Sequence, residues 1–468
     1  MLFCDSARSV IYLFSIVCLK RLPKRISTIC KRSSTINRVS GNCQQDFAMS
    51  LFREIADRME SDIRSGKYKP GGKIPSIRRL ASEFSCNKLT VQRAFELLKD
   101  RGLIENVIGS GTYVRFPERI DERGHLFDFR TSYISENFFP YLKAKEIFSN
   151  LFDRDRGAAL SSTPVEGDPR LIRVLGETYR LPAERVLIVS GAQQGLDLTA
   201  KVFAARISDS ILFEDPTYHG AISLFRAKHF VPMEDDGPEL AALDLKLNGQ
   251  IRLFYTMPAV HNPTGVSYGR EKLEAVAERA EKHPFYVIED DFLSEFLDRP
   301  RPRFVDICPE RTIYIKSLTQ TTVSGLRLGF MVVPGELYDK FVYTKYTSDL
   351  VCTGVLQKFL MEFILRGDYE SYIAETRKRV ADRQGRLLSI IERHPDLNVF
   401  LPQYGYNLWV QSNRMIDSPY VPWSKGEEFS FSPGYRSCFR LSFMNMEDES
   451  FRRALPYLDS VFTTLFGV

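Results

Sequence analysis

Residues 317–330 read SLTQTTVSGLRLGF. They follow the apolar run TIYIKS (312–317), and the two together read as a buried strand running into a loop. The loop offers the hydroxyls of Ser317 and Thr319 and, past Gly325, the guanidinium of Arg327. Two hydroxyls and a guanidinium close together can hold one phosphate through charge-assisted hydrogen bonds. Between them stands Gln320, a neutral amide. Upstream come four more short apolar runs: RVLIVS (185–190), SILFED (210–215), IRLFYT (251–256) and FYVIED (285–290). Separated by amphipathic helical stretches, they predict buried parallel strands with crossover helices, hence an α/β sheet. In such sheets ligands bind at the carboxyl ends of the strands.

The residues at those ends share one chemistry. Ala192 and Gln193 follow Gly191 at a strand-to-helix junction, where free N–H groups and the helix dipole favour a phosphate. Tyr218, just past SILFED, can stack on a flat ring, although a core tyrosine is the commoner reading of such a residue alone. Asn262, in HNPTG (261–265), offers an amide donor to a phenolate-like oxygen. Asp290 closes a strand as a carboxylate able to pair with a protonated ring nitrogen. Near the C-terminus, CFRLSF (438–443) carries Arg440, a fork for a carboxylate and, taken alone, an ordinary surface arginine.

The chain has 468 residues, 44% of them hydrophobic, which predicts two or three domains. Its net charge of +5 is unevenly spread. Residues 1–48 hold 8 basic and 2 acidic residues, 49–118 hold 13 and 9, and the remainder 43 and 48. A basic N-terminal part on an acidic body suits a polyanion-binding module carried by something else. The eight cysteines show no metal-ligand spacing, so neither a metal site nor a disulfide framework is expected, and isolated thiols point to the cytoplasm. Residues 1–48 include an 11-residue apolar run, too short for a membrane span. They read as a non-native or disordered extension ahead of Met49.

From 49 to 115 the pattern changes. Leu51, Ile55, Met59 and Ile63 predict a helix ending near Gly66. Ser76 is a candidate N-cap for a second helix with Leu80, Ala81 and Phe84 inward. A third helix, in LTVQRAFELLKDRGLIE (89–105), buries Val91, Ala94, Phe95 and Leu98 and leaves Lys88, Thr90, Gln92 and Arg93 near its exposed start. LIENVIGSGTYV (103–114) reads as a hairpin wing around Gly109–Gly111. Two short helices with basic and amide groups at the start of the second suit the major groove of DNA. Residues 116–125 are a charged linker, and 126–468 form the body.

PSIRRLA, LTVQRAF and GSGTYV resemble the winged helix-turn-helix of GntR-type transcriptional regulators. That resemblance implies DNA contacts by Ser76, Arg78, Lys88, Thr90, Gln92, Arg93 and Gly111. The body, through residues 191–193, HNPTG, EDDF and SLTQTTVSGLRLGF, resembles the fold-type I pyridoxal-phosphate-dependent aminotransferases. The fusion resembles the MocR subfamily of bacterial GntR-type regulators. It implies a pyridoxal 5'-phosphate or pyridoxamine 5'-phosphate pocket of Ala192, Gln193, Tyr218, Asn262, Asp290, Ser317, Thr319 and Arg327. Arg440 would take a substrate or effector carboxylate.

Two positions depart from the pattern. Gln320 stands where the family carries its cofactor-binding lysine, and Phe292 stands for a tyrosine. An amide cannot condense with an aldehyde or shuttle a proton, so the resemblance combined with Gln320 predicts a body without transaminase activity. The expectation is a homodimeric, cytoplasmic regulator of double-stranded operator DNA whose body senses a small effector, a vitamin B6 phosphate or amino-acid compound, noncovalently. Two alternatives stand beside it: a vestigial empty pocket, and an enzyme using another base such as Lys316, whose bland reading is a solvent-facing strand-end lysine.

Overall fold

The computed structural model describes residues 40–65, 67–68, 72–107, 111–115, 127–203, 210–247, 250–401, 403–416 and 421–466. For residues 40–50, 64 and 107 it gives the backbone course alone. The expected linker, the hairpin tip at 108–110 and most of the expected N-terminal extension lie outside these residues.

The chain divides into two compact units. The first comprises the described residues up to Ser65 together with Pro75–Ile104. It holds helices α1 (Ser40–Arg64), α2 (Ile77–Glu83) and α3 (Lys88–Asp100). α1 begins nine residues ahead of the expected boundary at Met49. Its Ile55, Ala56 and Met59 are buried, as are Leu80 and Ala81 of α2 and Val91, Ala94, Phe95 and Leu98 of α3. The last set recurs at i, i+3, i+4 and i+7, the spacing of one helix face. Ser76 caps α2 by accepting from Arg79 N at 3.4 Å, and Asn87 caps α3 by accepting from Thr90 N at 2.8 Å. At the other end Arg101 ties α3 to α1 through Asp57 and Glu60, at 2.7 and 2.6 Å.

The second unit comprises the described residues within 66–74 and 105–468. Strands β1 (Ile104–Val107) and β2 (Gly111–Val114) pair in a two-stranded sheet, the predicted wing. The body begins with helices α4 (Tyr141–Asp155) and α5 (Pro169–Tyr179). Its large sheet holds β3 (Val186–Val189), β4 (Ser210–Asp215), β5 (Lys228–Glu234), β6 (Gly237–Pro238), β7 (Ile251–Thr256), β8 (Tyr286–Asp291), β9 (Thr312–Ser317) and β10 (Gly329–Val332). The strand order is β3-β10-β9-β8-β7-β4-β5-β6. Strands β9, β8, β7, β4 and β5 form a parallel block.

Antiparallel strands flank the expected parallel block on both sides. β6 pairs antiparallel with β5, and β10, from GFMV of the opening stretch, lies antiparallel between β9 and β3. SLTQTTVSGLRLGF is thus a long hairpin connection between β9 and β10, and β3 runs in the direction of the parallel block without pairing to it.

Both faces of this sheet are covered. Phe213, Tyr255, Ile288 and Ile315 share one core with Leu196 and Val202 of helix α6 (Ala192–Val202). Their alternates Leu212, Phe254 and Val287 meet Val276 and Ala280 of helix Arg270–Lys282 on the other face. A smaller antiparallel sheet, β11 (Leu397–Asn398), β12 (Asn407–Ser412), β13 (Ser424–Lys425) and β14 (Cys438–Ser442), has the order β11-β12-β14-β13. It is held by Trp423, Phe439 and Phe462. Among the described residues no helix is long and apolar enough to cross a membrane, and no metal-ligating cluster is present.

Candidate functional site

Period-two alternation decides which side chains meet at the strand ends. Asp290 lies opposite Ile315, and Asp291 lies opposite Lys316. Asp290 and Ser317 therefore project on one face of β8 and β9, Asp291 and Lys316 on the other. On the first face a cavity of about 320 Å³ opens. Its lining includes Ala192, Gln193, Tyr218, Asn262, Asp290, Ser317, Thr319 and Arg327, the whole predicted set, together with Arg440, Gln320 and Phe292. Residues from seven separate chain segments converge there, Ser132 included; most lie near a strand end of the large sheet or at the start of α6, and Arg440 projects from the middle of β14.

The cavity has two poles. At one, Gly191 enters α6 with φ +81, and a Cβ placed on it would sit 3.3 Å from Thr319 Oγ1 and 3.4 Å from Arg327 Nη2. Bare backbone, a hydroxyl and a guanidinium thus enclose one small space in front of a helix N-terminus. The Thr319 hydroxyl is buried and has no hydrogen-bond partner. At the other pole Asp290 accepts from Tyr255 OH at 2.7 Å through Oδ2, while its buried Oδ1 has no partner. Burial pushes the Asp290 carboxyl up to about 6, which the Tyr255 hydrogen bond only partly opposes. Tyr218 lines the same cavity, its phenol raised by burial and by Asp290.

Arg440 is buried against the Phe429 ring, its Cζ 4.7 Å from the centroid. Its two terminal nitrogens already donate, to Asn262 Oδ1 and to the Arg130 carbonyl, both at 2.8 Å. Nε is left without a partner, and burial pulls the guanidinium down to about 10. The surface reading of Arg440 is thereby corrected: it is a core residue of the cavity. Gln320 faces the cavity with Oε1 accepting from the buried Tyr406 OH at 2.6 Å.

The solvent-facing reading of Lys316 is also overturned. Its side chain is fully buried on the far face, donating to Asp291 Oδ1 at 3.0 Å, Ser294 Oγ at 3.2 Å and Glu295 Oε2 at 2.7 Å. Burial alone would lower the ammonium's pKa; the Asp291 and Glu295 carboxylates override it and hold the group above its ordinary value. Among the described residues lining the cavity there is no lysine.

Sequence reading missed Ser132, Met257, Tyr255 and Tyr406. Ser132 and Tyr406 lie outside any recognisable strand end, and Tyr255 is inside the strand run IRLFYT, one residue before its end. In the first unit, Arg78, Lys88, Gln92 and Arg93 are exposed, as is Ser76. Thr90 is half-buried, and its hydroxyl donates to the Asn87 cap at 2.9 Å, so the helix start itself employs it. Gly111 is exposed with φ +133, a conformation that calls for glycine whatever lies beside it.

Comparison with known proteins matches two families to two successive parts of the chain. Residues 134–458 match the family described as "Aminotransferase class I and II", and residues 51–114 match "Bacterial regulatory proteins, gntR family". The chain is 29% identical over 363 residues to the uncharacterized HTH-type transcriptional regulator YcxD of Bacillus subtilis, covering 75% of this chain and 82% of that one. It is 24% identical to the probable rhizopine catabolism regulatory protein MocR of Rhizobium meliloti, over 90% of this chain and 95% of the relative. Among solved structures, LysN, an alpha-aminoadipate aminotransferase from Thermus thermophilus, superposes with a TM-score of 0.66 at 24% identity. That match covers 72% of this chain and 92% of that one, and shows a shared fold. The chain belongs to the aminotransferase class I and II family through its body and, with a GntR-family helix-turn-helix domain ahead of it, to the MocR-type regulators.

Proposed function

We propose that this regulator holds a vitamin B6 phosphate noncovalently in its aminotransferase-like body and that the ligand sets its hold on operator DNA. The supporting observation is the placement of Gln320 in the cavity together with the burial of Lys316 on the opposite face of the sheet. The residues present fit the group on their own chemistry. Buried polar atoms without partners are costly, and Asp290 Oδ1, Thr319 Oγ1 and Arg440 Nε all stand in that condition around one cavity. Ser317, Thr319, Arg327 and the start of α6 would hold the phosphate. Asp290 would pair with the ring nitrogen, Asn262 would face the ring oxygen and Tyr218 would stack. When bound, the group supplies an aldehyde or amine on an electron-withdrawing ring, chemistry that in this cavity meets no lysine. The body then acts as a binding module.

Arg440, drawn into hydrogen bonds with Asn262 and Arg130, would release them to take a carboxylate of an amino-acid effector. The body is expected to be dimeric and cytoplasmic. Two heads would read paired half-sites on double-stranded DNA, since two-fold symmetry doubles the base contacts of one recognition helix. Ligand binding would bias the spacing of the heads. The test is a gel shift on the DNA flanking the protein's own gene, with and without pyridoxal and pyridoxamine phosphate. A ligand-dependent change in DNA affinity supports the reading. Unchanged DNA affinity and unchanged transcription at saturating ligand refute it.

A further inference from the structure

Helix α3 carries one residue that neither its core nor its cap explains. Val91, Ala94, Phe95 and Leu98 form its buried stripe, and Asn87 closes its N-terminus. Leu89, in the first turn, is 61% exposed. At 100° per residue it points almost opposite the centre of that stripe. Gln92 and Arg93, three and four residues on, share its face, and Lys88 precedes it; all three are exposed. A γ-branched apolar side chain therefore sits among an amide, a guanidinium and an ammonium on the part of the helix that the major groove would receive. The only apolar group that B-DNA displays in the major groove is the C5-methyl of thymine.

We propose that Leu89 is a specificity-determining residue of the recognition helix, covering a thymine methyl beside the bases that Gln92 and Arg93 contact. This rests on the reading that the helix-turn-helix unit binds double-stranded DNA. The polar neighbours set hydrogen-bond register, and the leucine discriminates thymine from cytosine and from uracil by a contact that carries no charge. Its contribution should therefore vary little with salt, unlike that of Lys88 or Arg93.

The full chain tests this. Binding sites are first selected from a randomised duplex pool, then each thymine of the selected site is replaced singly by deoxyuridine, which deletes the methyl alone. Wild-type affinity should fall about fourfold at one thymine per half-site, the worth of one buried methyl. Leu89→Ala should bind more weakly and be indifferent to that same replacement, while Leu89→Asn should select sites no longer fixed as thymine there. Leu89 is outside the core, so both variants should keep the wild-type melting temperature. If every thymine-to-uracil change affects wild type and Leu89→Ala equally, the leucine reads no methyl and the proposal is overturned, with DNA binding intact. If no duplex is retained at low salt, the DNA reading itself fails and this inference with it.

Discussion

Replacing Lys316 by methionine separates a structural lysine from a chemical one. The Nζ satisfies Asp291, Ser294 and Glu295, and the side chain is fully buried. Methionine keeps the unbranched stem as far as Cε and removes the ammonium, leaving buried carboxylates without a cation. Breaking a buried pair in this way costs about 3–5 kcal/mol. The loss should depend on pH. In the wild type, burial pushes the Asp291 carboxyl up, but Lys316 together with the hydrogen bonds from Tyr314 and Ser294 outweighs it, and the group lies below its ordinary value. A lowered folded-state pKa contributes stability above about pH 4 that is lost as pH falls through the folded value. Without Lys316 the burial is opposed only by the hydrogen bonds from Tyr314 and Ser294, so the carboxyl rises from its wild-type position and the folded variant takes up a proton more readily as pH falls. The variant's deficit should therefore be full near pH 7 and shrink toward pH 4. Urea unfolding followed by tryptophan fluorescence reads the body alone, because both tryptophans of the chain, Trp409 and Trp423, lie there. Affinity for pyridoxal phosphate should be unchanged under conditions where the variant is folded. A variant as stable as wild type at pH 7, or one that folds but has lost ligand, would refute the assignment of Lys316 to a structural ion pair.

Three further outcomes follow from the cavity. Gln320→Lys should create a covalent, borohydride-reducible bond to pyridoxal phosphate, seen as one added phosphopyridoxyl mass on the peptide containing residue 320. Asp290→Asn should weaken B6 phosphate binding ten- to a hundredfold, from the loss of a charge-assisted hydrogen bond of about 1.5–3 kcal/mol. In the ligand-free protein the same change should stabilise at pH 7.5. A carboxyl raised to about 6 costs stability as pH rises from its unfolded value through 6, by about 3 kcal/mol in total, and that slope should vanish in the variant. Gly191→Ala, strained at φ +81 and crowding Thr319 and Arg327, should lower thermal stability by about 1–2 kcal/mol and abolish protection by the phosphate compound.

The strand-end residues were legible because each carries a distinct chemistry at a distinct place in the pattern. The eight predicted residues and Arg440 all line one cavity. What the pattern withheld were relations across chain segments. β10 was invisible as an antiparallel insertion, since GFMV is as apolar as the strands it separates. The facing of Lys316 was invisible because period-two alternation says that Asp290 and Asp291 diverge without saying which meets the cavity. Only its pairing with Asp291 fixes that. Arg440 looked like surface because its partners, Asn262 and the Arg130 carbonyl, lie 178 and 310 residues away. In the first unit, Ser76 served twice, as a predicted DNA contact and as a cap, and the cap is what the geometry displays. Leu89 went unmarked because single exposed apolar residues are common, and its position opposite the stripe emerges only once the helix is placed.

The most direct test is to saturate the purified full chain with pyridoxal phosphate, reduce with borohydride, and weigh it before and after dialysis. A saturable thermal shift that dialysis reverses, with the mass of the unmodified chain, is what a coenzyme held without a covalent bond predicts. A phosphopyridoxyl group retained on a side chain of the cavity, or on Lys316, would contradict it.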